Sequence, residues 1–409
     1  MILQMNRTSI TLVLFAITLQ IQAIIAFGGK NFNFSVADIF MFFFIITLPF
    51  LCKNPFSFFL KEFQKDSLIL LFIACIIAFS IALLLGERDS WALVKYAGFY
   101  ILIGYYIIGC FLFKNSANTT LFSLAFILFF NIASGVFLLE NLLESLQIIN
   151  APFKSIQNMG LSGNPNIFSF LGCMALCLHC SYWKHPLLRS KLGVFLLFFE
   201  LLSILTSGSR AGWVCASFVL SHNLISRTIP LKKILPSFLF LLCYVGTVNF
   251  YKDAAPSSTV AFIPLTPLNR PNILSTKDPS LKDRVTLLKH TLEWIKEKPI
   301  FGHGLGAGLK KSEEFLGYSN VIHNTLLWLL VDTGIFGVVC FLGLFFVFLR
   351  RFYRDAKENH DPFSQAVFLM LLVFAIFSLF HEILYQRALW FILGIGMSQL
   401  KKSKSTPAP

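Results

Sequence analysis

The sequence predicts an all-α, polytopic membrane protein, and three observations carry that prediction. Of 409 residues 56% are hydrophobic and only 13% charged, the mean hydropathy is +0.72, and the apolar runs are of helix length without strict alternation. A soluble domain of this size needs far less apolar surface, and a transmembrane barrel would alternate every second residue. Twelve spans are predicted, near 8–27, 36–52, 67–85, 91–113, 121–139, 167–183, 192–206, 211–226, 234–250, 324–349, 364–380 and 388–400. Several are shorter than the roughly 20 residues of a straight crossing. The first resembles a signal peptide in length, but it lacks a small-residue cleavage site and further spans follow, so it is read as retained.

The net charge of +14 invites a nucleic-acid partner, which the distribution of charge rejects. With the N-terminus inside, alternate connections hold Arg7, Lys53, Lys61, Lys65, Lys114, Lys184, Arg189, Lys191, Arg227, Lys232, Lys233, Arg350, Arg351, Arg354, Lys357, Lys401, Lys402 and Lys404, 18 of the 34 basic residues. The short opposite connections hold only Lys30, Arg88, Lys154, Arg210 and Arg387. This is the positive-inside bias, and it places both termini in the cytoplasm. The long 251–322 connection then lies outside, where its own basic residues count little. All nine Cys fall in or beside apolar runs, so neither a disulfide framework nor a metal set from Cys173, Cys177, Cys180 and His179 is expected; Cys in such a helix acts as a small hydrophobe.

The chain reads as a single membrane domain over residues 1–409 with two outer elaborations and no internal repeat. The first, 140–166, ends in Gly160-Leu161-Ser162-Gly163-Asn164-Pro165-Asn166, a turn in which Asn166 is placed either to cap the next helix or to line a ligand site. The second opens with an irregular Pro-, Ser- and Thr-rich part. From Leu281 to Lys298 it turns helical, with Val285, Leu288, Leu292 and Ile295 spaced for one inward face that Arg284 shares, and Pro299 ends it. Gly302-His303-Gly304-Leu305-Gly306-Ala307-Gly308 follows. It lacks the strand that a dinucleotide loop requires, and serves instead for a bend or a close backbone approach to a ligand.

The polar residues that accompany the outer face define a candidate site. Arg210 opens a span between Gly208 and Gly212, Arg284 approaches from the outer loop, and His323-Asn324 opens the tenth span. Ionisable groups at such depth are costly and are functional candidates by default. Two inward arginines suit a pyrophosphate, because a planar guanidinium forks onto phosphate oxygens. His323, in the first turn of its helix, is held neutral near pH 7 by the positive dipole end, so that it accepts a proton from a sugar hydroxyl and activity falls as pH drops through its pKa. Asn324 would orient that acceptor. His303 and His381 are the reserve histidines of the same face. The outer loop contains no Asp-x-Asp, and Glu87-Arg88-Asp89 reads as an interface turn rather than a metal site, so no metal or other cofactor is expected.

The combination of Ser209-Arg210-Ala211-Gly212, Arg284 ahead of Trp294 and Pro299, Gly302-His303-Gly304-Leu305-Gly306, and His323-Asn324 before Asp332-Thr333-Gly334-Ile335-Phe336-Gly337 is similar to the O-antigen ligase family, and Asn164-Pro165-Asn166 matches a further piece. The resemblance covers roughly residues 150–345. It implies a GT-C-type, metal-independent glycosyltransferase of the bacterial inner membrane, with its active site on the periplasmic side. Such an enzyme moves a glycan from undecaprenyl pyrophosphate to an acceptor, and ligation of O-antigen to lipid A-core is the preferred reading. By resemblance Arg210 and Arg284 engage the donor and His323 serves the acceptor hydroxyl, with Asn324, Asn164, Asn166, Gly304 and Gly306 as substrate-binding candidates. O-antigen polymerases and protein O-oligosaccharyltransferases share these motifs. A lipid-linked glycan flippase is the alternative of another class, against which the clustering of site residues on one face argues; Lys95 is the main charged residue in a middle span.

Overall fold

The helices of this chain are set by apolar runs, and their ends by caps that the sequence supplies. The computed structural model describes residues 7–27, 30–51, 68–86, 90–112, 116–145, 159–233, 235, 239 and 279–403. In chain order they form α1 (Arg7–Thr18), a hairpin of β1 (Gln22–Phe27) and β2 (Lys30–Ser35), α2 (Val36–Leu51), α3 (Leu68–Leu85), α4 (Ser90–Leu112), α5 (Ser116–Ser145) and α6 (Pro165–Ser181). There follow α7 (Pro186–Arg189), α8 (Lys191–Thr206), α9 (Arg210–Ile225), α10 (Pro279–Glu297), α11 (Ala307–Leu316), α12 (Thr325–Glu358), α13 (Pro362–Ser378) and α14 (Arg387–Ser403).

The fold is mostly helical, as expected, but not purely so. The predicted first span stops at Thr18, and Gln22–Phe27 pairs antiparallel with Lys30–Ser35. The run was apolar enough to pass for helix, yet Gly28-Gly29 between two β-prone stretches is a hairpin signal. Four helical stretches are long and apolar enough to cross a membrane: Leu68–Leu85, Ser90–Leu112, Ala117–Leu139 and Thr325–Glu358. Helices also occupy the other predicted spans except 234–250, which lies almost wholly outside the described residues, as does the first part of the outer loop, 251–278.

At the centre stands α6. Every side chain from Ile167 to Ser181 is buried, because α5, α8, α9 and α13 pack around it. Its apolar residues run all round rather than along one stripe, the mark of an enclosed helix. On the flank α14 lies along α4 and α12 along α3. A Cβ at Gly109 would overlap the Phe391 carbonyl oxygen and one at Gly394 the Tyr106 carbonyl oxygen, so these glycines bring two backbones close, as small residues do in membrane helix pairs.

One device fixes the mouth of the bundle. Gly334 (φ 65°, ψ −170°) breaks α12, freeing backbone groups on both sides. The chain after α10 takes them up: Ile335 and Phe336 N–H donate to the Pro299 and Ile300 carbonyls at 2.8 and 3.1 Å, while His303 and Gly304 N–H donate to the Val331 and Asp332 carbonyls at 2.7 and 3.1 Å. Buried Asp332 then accepts the Gly306 and Gly308 amides at 2.8 and 3.0 Å. The glycine-rich loop is thus the plug of a broken helix, the arrangement by which non-helical backbone is tolerated at membrane depth.

Candidate active site

Three helices begin at the same place. Asn164 caps α6, its side chain accepting the Asn166 and Ile167 amides; Ser209 caps α9 through Gly212 N–H; Asn324 caps α12 through Leu327 N–H at 3.0 Å. Each places a polar acceptor before an apolar run, as N-caps do. Their first turns, with α10 and the α13–α14 connection, enclose a cavity of about 520 Å³ lined by Asn166, Arg210, Arg284, His323, Asn324 and His381 among others. Among the described lining residues there is no Asp or Glu. Three helix N-termini and two guanidiniums make a strongly anion-attracting field.

Arg210 is the first residue of α9 and stays exposed to the cavity. A cation there opposes the helix dipole, so helix stability does not explain it. Arg284 is carried by α10, whose inward face is Leu287, Thr291 and Trp294, all buried. Arg284 precedes Leu287 by three residues and shares that face. The stripe expected to point inward does not: Val285, Leu288 and Leu292 are exposed. Periodicity identifies a stripe without saying what it faces. Here Trp294 fixes the rotation, with its carbonyl 2.7 Å from His303 Nε2 and its ring under Lys311 Nζ at 5.5 Å.

His323 precedes the cap of α12 rather than lying within its first turn. Asn324 N–H donates to the Ile322 carbonyl at 2.8 Å, a tight turn closed around His323 while Ile322 is buried. Upstream, Ser312 ties Asn320 to α11 through both its backbone N–H and its carbonyl. The imidazole pKa is pushed down to about 4, first by burial and then by the nearby Arg284 charge. It is neutral at pH 7 as expected, but burial and a neighbouring cation replace the helix dipole as the cause.

The structure brings Arg210, Arg284, His323, Asn324 and Asn166 together and separates the rest. Asn324 spends both ends on the fold, its Nδ2 donating to the Leu379 carbonyl at 3.2 Å. Asn164, not Asn166, caps α6, which leaves Asn166 at the cavity wall. Gly304 packs on Gly86 and Gly306 on Trp91 and Ala92, away from the cavity. His303 belongs to the plug. His381, held in reserve on sequence, stands in the cavity with its ring centroid 5.8 Å from that of His323 and nearly perpendicular to it. The sequence signal for it was weak, a lone polar pair at the end of an apolar run. Among the described residues no group of three or more His, Cys, Asp or Glu is arranged to hold a metal ion; Glu87 and Asp89 lie outside them.

The family model described as O-Antigen ligase matches residues 193–342. This stretch is an O-antigen ligase family domain. Members of that family are glycosyltransferase-like, and the matched stretch runs from α8 to just past the break in α12, holding Arg210, Arg284 and His323. Asn166 and His381 reach the cavity from outside the matched domain. No curated protein matches the chain.

Proposed function

We propose that this protein is an O-antigen ligase that transfers a glycan from undecaprenyl pyrophosphate to lipid A-core at the periplasmic face of the inner membrane. The observation that carries the reading is a cavity with two guanidiniums, three helix N-termini and a neutral imidazole, and no carboxylate among its described lining residues. The pyrophosphate sits between Arg210 and Arg284, each charged hydrogen bond contributing roughly 1.5–3 kcal/mol. His323 accepts the proton of the acceptor hydroxyl as its oxygen attacks the anomeric carbon. The bond from that carbon to the phosphate oxygen breaks, and the electron pair stays on the pyrophosphate. The arginines neutralise the growing charge as preorganised donors do, so the reaction runs without a metal and survives chelation.

The topology that goes with this mechanism has twelve spans and both ends in the cytoplasm. Reporter fusions at Pro264 and Lys404 then read periplasmic and cytoplasmic respectively; one side for both overturns it. Deleting the gene and resolving lipopolysaccharide by gel tests the activity. Loss of polymer on core with undecaprenyl-linked polymer retained supports the ligase. Core bearing a single repeat means a polymerase, unchanged lipopolysaccharide with unglycosylated exported proteins means a protein transferase, and donor stranded on the cytoplasmic face means a flippase.

A further inference from the structure

His381 is not part of that mechanism, and it is held too firmly at the cavity to be incidental. Its backbone N–H donates to the Phe377 carbonyl at 3.0 Å. Its carbonyl accepts from Thr325 Oγ1 at 2.8 Å, and the same hydroxyl accepts Ile383 N–H at 3.2 Å. Thr325, the first residue of α12, therefore staples the His381 connection to the helix that carries His323. Only 9% of His381 is exposed.

Resting on the pyrophosphate-donor reading, we propose that His381 is a second catalytic imidazole, which takes up a proton when the donor pyrophosphate binds and gives its N–H to the oxygen that leaves. His381 shares the cavity wall with Arg210, Arg284 and His323, and its ring stands beside that of His323. With a pyrophosphate between the two guanidiniums, one ring is then free to serve the leaving oxygen while the other serves the acceptor. Among the described lining residues no carboxylate stands in the place of His381. Adjacent Glu382 is tied to Lys95 of α4 at 2.6 Å.

The His381 pKa is pushed down to about 3, by burial first and then by Arg284, His323 and Arg210, so at neutral pH the ring gains a proton only when an anion opposes those charges. A pyrophosphate diester carries about two negative charges, opposes the arginine field, and raises the imidazole pKa; binding and protonation are then linked. Transfer frees one further anionic oxygen, the point at which a preorganised N–H does most. The step balances: the acceptor proton goes to His323, which returns it to solvent, and the proton that His381 took up on donor binding goes to the leaving oxygen, which leaves that ring neutral. Two imidazoles with opposite tasks form an acid–base pair separated by environment.

The test is calorimetry of the full-length protein in micelles, titrated with geranyl-pyrophosphoryl-N-acetylglucosamine, a diester that does not itself titrate near neutrality. Measurements at about pH 6 in two buffers of different ionisation enthalpy read proton uptake. Uptake is expected in the wild type and in His323→Ala, and is lost in His381→Asn and His381→Gln, with affinity changed less than about tenfold and turnover lowered by the roughly 10²-fold of a lost general acid. Binding without proton uptake in the wild type, or uptake intact in both His381 variants, overturns the inference and leaves the donor reading standing. No binding of the diester by the wild type removes the donor reading and this inference with it.

Discussion

Basic residues a few helices apart in this bundle are treated in opposite ways. Arg387 Nε meets Asp38 at 2.7 Å, Lys95 Nζ meets Glu382 at 2.6 Å, and fully buried His179 meets Glu200 at 2.9 Å. Each has an acidic partner within the chain, and neighbours complete the set: Tyr105 also donates to Asp38 at 2.8 Å and Asn131 to Glu200 at 3.1 Å. At the cavity two guanidiniums share a wall that has no Asp or Glu among its described residues. The first set serves the packing of the bundle, whereas the two guanidiniums at the cavity lie where a ligand can reach them. The same contrast weighs against Lys95 as part of a charged path through the bundle, because it is paired and rests over the Trp328 and Tyr385 rings at 4.6 and 4.8 Å.

The largest effects break the comparison from its cavity side. Arg210→Ala and Arg284→Ala each remove a fork of two charged hydrogen bonds, about 3–6 kcal/mol at roughly 1.5–3 kcal/mol per bond, and so lower transfer by about 10²–10⁴-fold while folded protein remains in the membrane. Arg→Lys restores only part, because a point charge does not reproduce the fork. Full transfer in Arg284→Ala would take that residue out of the site.

From the paired side the prediction inverts. Asp38→Ala leaves Arg387 without its carboxylate and Tyr105 without its acceptor, and breaking a buried pair in this way costs about 3–5 kcal/mol of stability. Thermal unfolding in detergent is expected to shift strongly downward, while transfer per folded molecule is kept. A variant that melts like wild type but no longer transfers would place Asp38 in the chemistry and dissolve the distinction.

How much of this was legible before the structure follows from the kind of signal each feature leaves. Arg210, Arg284 and His323 stood out because polar residues beside apolar runs are anomalous by composition alone. The cavity that joins them was not legible, since it arises from three helix starts that are distant in sequence. The Gly302–Gly308 segment suggested a ligand loop, for glycine announces a close backbone approach without naming the partner; that partner is the break at Gly334. The α10 stripe was misassigned for a related reason, since Leu288 and Leu292 are spaced as regularly as Leu287, Thr291 and Trp294. The buried pairing of His179 with Glu200 was missed because an acid in the eighth helix and a histidine in the sixth leave no common pattern.

His323 gives a smaller effect that sharpens the account of the cavity. His323→Ala is expected to bind the donor yet lose at least the roughly 10²-fold of a missing general base. The pH dependence has a definite sign. The His323 pKa lies at about 4, so in His381→Gln, where the second ring no longer titrates, kcat/KM, which reports the free enzyme, holds from about pH 8 to 5 and falls as pH drops through that value. The acid limb of kcat lies at higher pH, because the bound anion raises the imidazole pKa. Stability follows the same shift. The folded pKa is below the unfolded value of about 6.5, so the unfolded chain binds more protons, and stability present above pH 6.5 is lost as pH falls toward 4. His323→Gln flattens that loss. A kcat/KM profile with its midpoint near 6.5 would mean that neither burial nor Arg284 acts on this ring.

The smallest effect separates holding the site from acting in it, at Asn324. Its Oδ1 caps Leu327 N–H and its Nδ2 holds the Leu379 carbonyl, so both ends of the amide serve the scaffold on which His323 and His381 stand. Asn324→Ala removes the cap and is expected to cost about 1 kcal/mol, with transfer falling only modestly as the two histidine-bearing segments loosen. Asn324→Ser keeps an acceptor at the cap position and should recover most of that stability. If transfer recovers with it, the residue works through the helix start. If stability returns and transfer stays low, its amide meets the acceptor after all, as the sequence alone suggested, and the scaffold of the cavity would then also be part of its chemistry.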